Sequence, residues 1–138
     1  MNIFLDTSFI CSLHLPEDSL HKKALTISND LIKQEVNLFI SNFIVLEVLT
    51  ILSQRKSRQL AIEFGRSVKE EESIKIIRID EILEEFSWQI FQKTKEKDLS
   101  FADCSTLAVL ENEKIDYLIS FDKHFNRFQS EFHFKIIN

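Results

Sequence analysis

Four acidic residues stand in apolar surroundings where an anion loses its water. Asp6 follows the apolar run Ile3–Leu5 and precedes Thr7 and Ser8 in "FLDTSFI". Glu47 interrupts "FIVLEVLTIL", Asp103 lies in "LSFADCSTLAVL", and Asp122 lies in "LISFDKHF". A buried ionised carboxylate is costly unless something compensates it. Each acid also has an ordinary structural explanation. Asp6 could cap a helix, although Thr7 or Ser8 would serve equally well. Glu47 could belong to a polar helical stripe with Thr50 and Gln54. Ser100-x-x-Asp103 has the form of a capping box, with Asp in place of the usual Glu or Gln. Asp122 could cap a short helix. Together they point to something else, because carboxylates sharing one edge cannot all stay ionised without a cation. Mg²⁺ or Mn²⁺ suits an all-oxygen ligand set. Such an ion can activate water, polarise a phosphoryl oxygen and stabilise a leaving oxyanion. No nucleophilic Ser or Cys is then needed, in keeping with the absence of G-x-S-x-G, P-loop and G-x-G-x-x-G patterns.

The elements that must position these acids alternate along the chain. Asn2–Leu5 reads as a strand, followed by helix signals from Thr7 to Leu15 that Pro16 stops. Ser19 is expected to cap a helix reaching Gln34, with Leu20, Ala24, Ile27 and Leu31 at helical spacing. "NLFIS" (37–41) reads as a strand, and Asn42 as the cap of the next helix. A further helix spans about 57–71, a strand 74–79, a helix from Asp80 to about 97, and a helix from Ser100 to about 111. Strands at 117–120 and 132–137 complete the series. Short apolar strands alternating with helices predict a parallel α/β sheet covered on both faces. Ligands of such sheets bind beyond the carboxyl ends of the strands, where Asp6 and Asp122 fall.

Bulk properties agree with an ordinary globular chain: 138 residues, 44% hydrophobic, 28% charged and a net charge of −5. The length fits one domain over residues 1–138. The acidic balance argues against a basic nucleic-acid coat but not against a nuclease, whose site itself consists of acids. No apolar run approaches the ~20 residues of a membrane span, and no signal peptide is evident, so a cytoplasmic location is the expectation. Cys11 and Cys104 have no metal or disulfide spacing and read as buried free thiols. Phe9 and Phe125 read as core residues in preference to base-stacking ones.

On the four acidic motifs, in this order and in these contexts, the chain resembles the PIN-domain ribonucleases of the VapC-like kind, the toxin halves of toxin–antitoxin pairs. The resemblance spans nearly the whole chain. It implies a three-layer α/β/α sandwich around a mainly parallel five-stranded sheet. It implies Mg²⁺- or Mn²⁺-dependent hydrolysis of RNA phosphodiesters, a cognate antitoxin and a homodimer. It also implies hydroxyl partners for the acids at Thr7, Ser8 and Ser120. The glycine often found before the fourth motif is missing, and Asn112 is expected to take the left-handed cap in its place.

The expected site is a metal cluster of Asp6, Glu47 and Asp103. Asp122 completes it directly or through a water. Arg55, Lys56, Arg58 and Lys123 are the expected contacts to the RNA backbone. Rival readings are a housekeeping RNA-processing nuclease of the same family and a catalytically silent interaction module. A receiver or aspartyl phosphatase fits less well: Ser8 stands where the phosphatase D-x-D needs its second acid, and a receiver wants paired acids after its first strand.

Overall fold

The structure, a computed structural model, describes residues 1–138. Its elements in chain order are β1 (Asn2–Leu5), α1 (Thr7–His14), α2 (His21–Ile32), β2 (Asn37–Ser41), α3 (Asn42–Arg55), α4 (Arg58–Glu70), β3 (Ile74–Ile77), α5 (Glu81–Lys93), α6 (Phe101–Asn112), β4 (Tyr117–Ile119), a 3₁₀ helix (Lys123–Phe128) and β5 (Lys135–Ile137). The five strands form one sheet in the order β3-β2-β1-β4-β5, and every pairing is parallel.

That order follows from the connections. The chain moves outward from β1 to β2 to β3 through two helix pairs, then crosses back to the other side of β1 for β4. Right-handed crossovers running in opposite directions put α1–α4 on one face and α5–α6 on the other. Ile3, Phe4 and Leu5 are consecutive and all buried, as a central strand covered on both faces requires. One hydrophobic cluster of 31 buried residues joins the sheet to helices on both sides.

The strand order reverses between β1 and β4, which makes the crevice beyond their carboxyl ends the ligand-binding position of an open parallel sheet. The backbone N–H of Asp6 donates to the carbonyl of Ile119 (3.0 Å) and closes the base of that crevice.

Several local expectations shift. Ser41, not Asn42, caps α3 by accepting the N–H of Ile44, and the Asn42 side chain instead accepts the N–H of Ile79 at 2.7 Å. Ser19 caps nothing: α2 begins at His21, and Asp18 closes the preceding turn by accepting the N–H of Leu20 (2.9 Å). α5 ends at Lys93, and Thr94 starts an extended connection in place of a last turn to Lys97. The left-handed residue after α6 is Lys114 (φ 52°), while Asn112 stays helical. β5 is confined to Lys135–Ile137 because His133, at φ 54°, turns the chain just before it.

Candidate metal centre

Each acid is carried to the crevice by a different element. Asp6 ends β1 and is the N-cap of α1, with φ −85° and ψ 157°. Its residue is 4% exposed. Ser8 Oγ donates to Asp6 Oδ2 at 2.6 Å and Ser120 Oγ to the same oxygen at 2.7 Å. The Ser8 N–H adds a longer bond of 3.3 Å, again to Oδ2. All three of these bonds fall on Oδ2.

The two serines are themselves held by the start of the fourth motif. Ser8 Oγ accepts the N–H of Phe121 and Ser120 Oγ accepts the N–H of Asp122, both at 3.0 Å. One network therefore ties the end of β1 to the chain leaving β4. Glu47 lies in the second turn of α3, half-buried, and accepts the Thr7 hydroxyl at 2.8 Å. Asp103 occupies the third position of α6 in a reciprocal capping box. Its N–H donates to Ser100 Oγ (3.0 Å) and its Oδ2 accepts the Ser100 N–H (2.9 Å). Asp122 caps the 3₁₀ helix by accepting the His124 N–H at 2.9 Å. His124 Nδ1 lies 2.7 Å from the same oxygen but lacks the alignment of a hydrogen bond.

Capping and clustering thus coexist: Asp6 and Asp122 are N-caps, and Asp103 is the third-position member of the Ser100 capping box. A helix N-terminus is a natural place to hold a carboxylate, because unpaired N–H groups and the helix dipole favour negative charge there.

The electrostatics tie the acids together. Burial pushes the Asp6 carboxyl above the ordinary carboxylate range, against the pull of its Ser8 and Ser120 bonds. Burial raises Glu47 as well; the Thr7 hydroxyl lowers it, and the charges of Asp6 and Asp103 raise it further. Asp103 is raised first by burial, with the Ser100 bonds opposing and the charges of Asp6 and Asp122 adding. No Lys, Arg or His nitrogen comes within 4 Å of Asp6, Glu47 or Asp103; of the four acids, only Asp122 has such a neighbour, His124. One buried and two half-buried acids, all with raised carboxyls and no cationic partner, have the chemistry of a hard-cation site. No group of three or more Asp, Glu, His or Cys side chains is drawn in closely enough to hold an ion as it stands.

A cleft of about 330 Å³ opens beside the acids, with Thr7, Ser8, Phe121 and Arg55 in its walls. Arg55 Nη1 lies 3.5 Å from Asp18 Oδ2. Lys56 is exposed between α3 and α4, Arg58 is exposed at the start of α4, and Lys123 is exposed beside Asp122. Only Arg55 among these four lines that cleft. None of the four acids is in the walls of that cleft, nor of a larger hollow of about 420 Å³ between Ile90, Arg127 and Phe128. Phe9 and Phe125 are buried in the core, as their surroundings predicted. Burial pushes the thiols of Cys11 and Cys104 up to about 11, so neither is a nucleophile at neutral pH.

Sequence reasoning passed over Lys23, whose Nζ stands 5.9 Å above the centre of the Phe121 ring. No sequence signal links residues so far apart. It also passed over Asp18, for which an Asx turn ahead of Leu20 was the available cue.

The model of the PIN-domain family matches residues 3–131, and the chain belongs to that family. It is 27% identical over 124 residues to the 23S rRNA-specific endonuclease VapC20 of Mycobacterium tuberculosis, covering 90% of this chain and 92% of that one. The crystal structure of VapC20, described as a Sarcin-Ricin loop cleaving toxin, superposes with a TM-score of 0.82 at 25% identity, covering 91% and 93% of the two chains. The same fold occurs in VapBC2 of Rickettsia felis, solved on a promoter DNA fragment (TM-score 0.71, 15% identity, 100% and 98% coverage). It occurs too in FitAcB of Neisseria gonorrhoeae (TM-score 0.69, 18% identity, 99% and 96% coverage).

Proposed function

We propose that the chain, as a single nuclease domain, is a divalent-metal-dependent endoribonuclease and the toxin of a toxin–antitoxin pair. The observation that carries the reading is Asp6. It is a buried carboxylate at the β1–β4 crevice, pinned through one oxygen by two serines, and its charge acts on Glu47 and Asp103.

Asp6, Glu47 and Asp103 would hold Mg²⁺ or Mn²⁺, with Asp122 completing the set directly or through a water. Such an ion, when bound, lowers the pKa of a water and offsets charge on the phosphoryl oxygens. The protein does the rest. Ser8 and Ser120 fix the rotamer of Asp6 through Oδ2. Thr7 orients Glu47 through its hydroxyl. The capping box holds Asp103 through Oδ2 at the start of α6. Arg55, Lys56, Arg58 and Lys123 would bear on the RNA backbone, which positions a strand without reading its sequence. Single-stranded or looped RNA is the fitting substrate class, since its bases can be splayed away from the strand.

The experiment is cleavage of a structured RNA with and without Mg²⁺ or Mn²⁺, by the native chain and by Asp6→Asn. Divalent-dependent cleavage that the substitution abolishes is expected. Full activity of Asp6→Asn would remove the site assignment.

The same reading includes a cognate antitoxin, a homodimer and a cytoplasmic location. No helix is long and apolar enough to cross a membrane. Support for the dimer comes from an apolar surface on α3, α5 and α6. Trp88 stacks on Phe91 (ring centroids 5.9 Å apart), and Phe91 meets Phe101 edge-on at 5.8 Å. Trp88 is 45% exposed, and Leu46, next to Glu47, is 64% exposed. Isologous contact of this face would bury it. A monomer by light scattering at tens of micromolar, roughly the scale of a weak specific association, would count against the dimer.

A further inference from the structure

Near the acids, Arg55 lines a cleft, Lys23 stands over Phe121 in the wall of that cleft, and a carboxylate outside the site aims Arg55. Asp18 divides its two oxygens. Oδ1 accepts the Leu20 N–H (2.9 Å) and the Ser12 hydroxyl (3.1 Å), which locks the turn between α1 and α2. Oδ2 is left for Arg55 at the end of α3. The Asp18 side chain is 18% exposed and that of Arg55 48%, so the carboxylate is the fixed member and the guanidinium the aimed one. Surface pairs of this kind add little stability; this one sets a direction. It directs Arg55 into the cleft walled by Thr7 and Ser8, whose hydroxyls hold Glu47 and Asp6.

Lys23 approaches from α2. Its ammonium lies over Phe121, the residue whose N–H bonds Ser8 and whose ring is wedged edge-on against the buried Phe9 at 6.0 Å. Lys23 has no acidic partner within 4 Å, so its charge is free for a ligand. A cluster of carboxylates repels a polyanion, and cations beside it offset that repulsion.

We propose that Arg55, aimed by Asp18, and Lys23, seated over Phe121, clamp two backbone phosphates of an RNA strand that passes along this cleft to the acids. Asp18 is then a positioning residue that acts through Arg55. The proposal rests on the ribonuclease reading above.

The test uses the full chain carrying Asp6→Asn to silence cleavage. Its probe is a fluorescein-labelled single-stranded RNA of roughly ten nucleotides, within the site size of single-strand binders, titrated across a range of salt. Lys23→Ala and Arg55→Ala should each weaken binding severalfold. Each should also reduce the log–log salt slope by about 0.7, the value for one phosphate contact on a single strand. Lys33→Ala, at the opposite end of α2 and paired with Asp30, should change neither.

Asp18→Asn decides the positioning role by its sign. The amide keeps an oxygen for Ser12 and Leu20 but turns its NH₂ against Arg55. Losing an anion near a polyanion would by itself tighten binding; losing the aim of Arg55 weakens it. Weaker binding is expected, with no further loss on adding Arg55→Ala. Tighter binding, or fully additive losses, overturns the role of Asp18. Unchanged salt slopes for Lys23→Ala and Arg55→Ala overturn the clamp. In the chain with Asp6 intact, the two clamp variants should raise KM and leave kcat within about twofold. If that chain binds the oligonucleotide with the expected slopes yet cleaves no RNA, the nuclease reading fails and the clamp stands. If it cleaves RNA while the slopes do not move, the reverse holds.

Discussion

Ser120 Oγ donates to Asp6 Oδ2 at 2.7 Å across 114 residues of sequence. The same hydroxyl oxygen accepts the N–H of Asp122. One small side chain therefore sets the rotamer of the first-motif acid and the backbone of the fourth.

Ser120→Ala tests that bridge. The residue is fully buried, and alanine leaves the Asp122 N–H and one bond to Asp6 unmade. A loss of about 1–3 kcal/mol in unfolding free energy is expected, measured by urea denaturation. Turnover per folded molecule should fall as well, because Asp6 is held by Ser8 alone. A variant with native turnover would show that Ser8 suffices.

Asp103 separates capping from chemistry. Asp103→Asn retains an oxygen for the Ser100 N–H and should change stability little. It should collapse metal-dependent cleavage, since an amide oxygen cannot offset the charge of a divalent ion. Ser100→Ala does the converse: it removes the acceptor of the Asp103 N–H, costs about 1 kcal/mol and keeps turnover within severalfold. If both variants lose stability and keep turnover, Asp103 is a cap alone.

The raised carboxyls of Asp6, Glu47 and Asp103 fix the sign of a pH effect. A group whose folded pKa exceeds its unfolded value binds protons more tightly in the folded state, so stability falls as pH rises. For the metal-free protein the fall begins near the unfolded values of 3.8 for Asp and 4.5 for Glu and continues through the raised folded ones. The metal-free melting temperature should therefore drop as these groups ionise. Asp6→Asn should flatten that drop, and added Mg²⁺ should stabilise more at pH 7 than at pH 5. Equal Mg²⁺ stabilisation at both pH values would count against carboxylate ligation.

Gly65 is the chain's only glycine and lies inside α4 without a left-handed backbone. A Cβ there would meet Leu49 Cδ2 at 3.4 Å, an ordinary contact between α3 and α4. Gly65→Ala should raise stability by up to about 1 kcal/mol through helix propensity, read as a higher urea midpoint at unchanged slope. A lower midpoint would mean that α4 must move away from Leu49.

By itself the sequence determined what depends on neighbours along the chain. Apolar runs bounded by caps marked the strands and helices, and their alternation determined a parallel sheet. The capping box at Ser100 and Asp103 was legible because both partners lie within one helical turn. The four acids stood out because each breaks an apolar pattern. Even the local signals had limits: Ser41 and Asn42 are adjacent potential caps, and only the Asn42 bond to Ile79 shows which one was free to cap. The tertiary structure decided everything that joins distant segments. Placing β4 beside β1 brings Ser120 to Asp6, and the packing of α1, α2 and α3 brings Asp18 to Arg55 and Lys23 to Phe121. Such pairs leave no periodic trace, because the chain between them contributes connectivity and not contact. Strand order and helix packing alone bring them within reach.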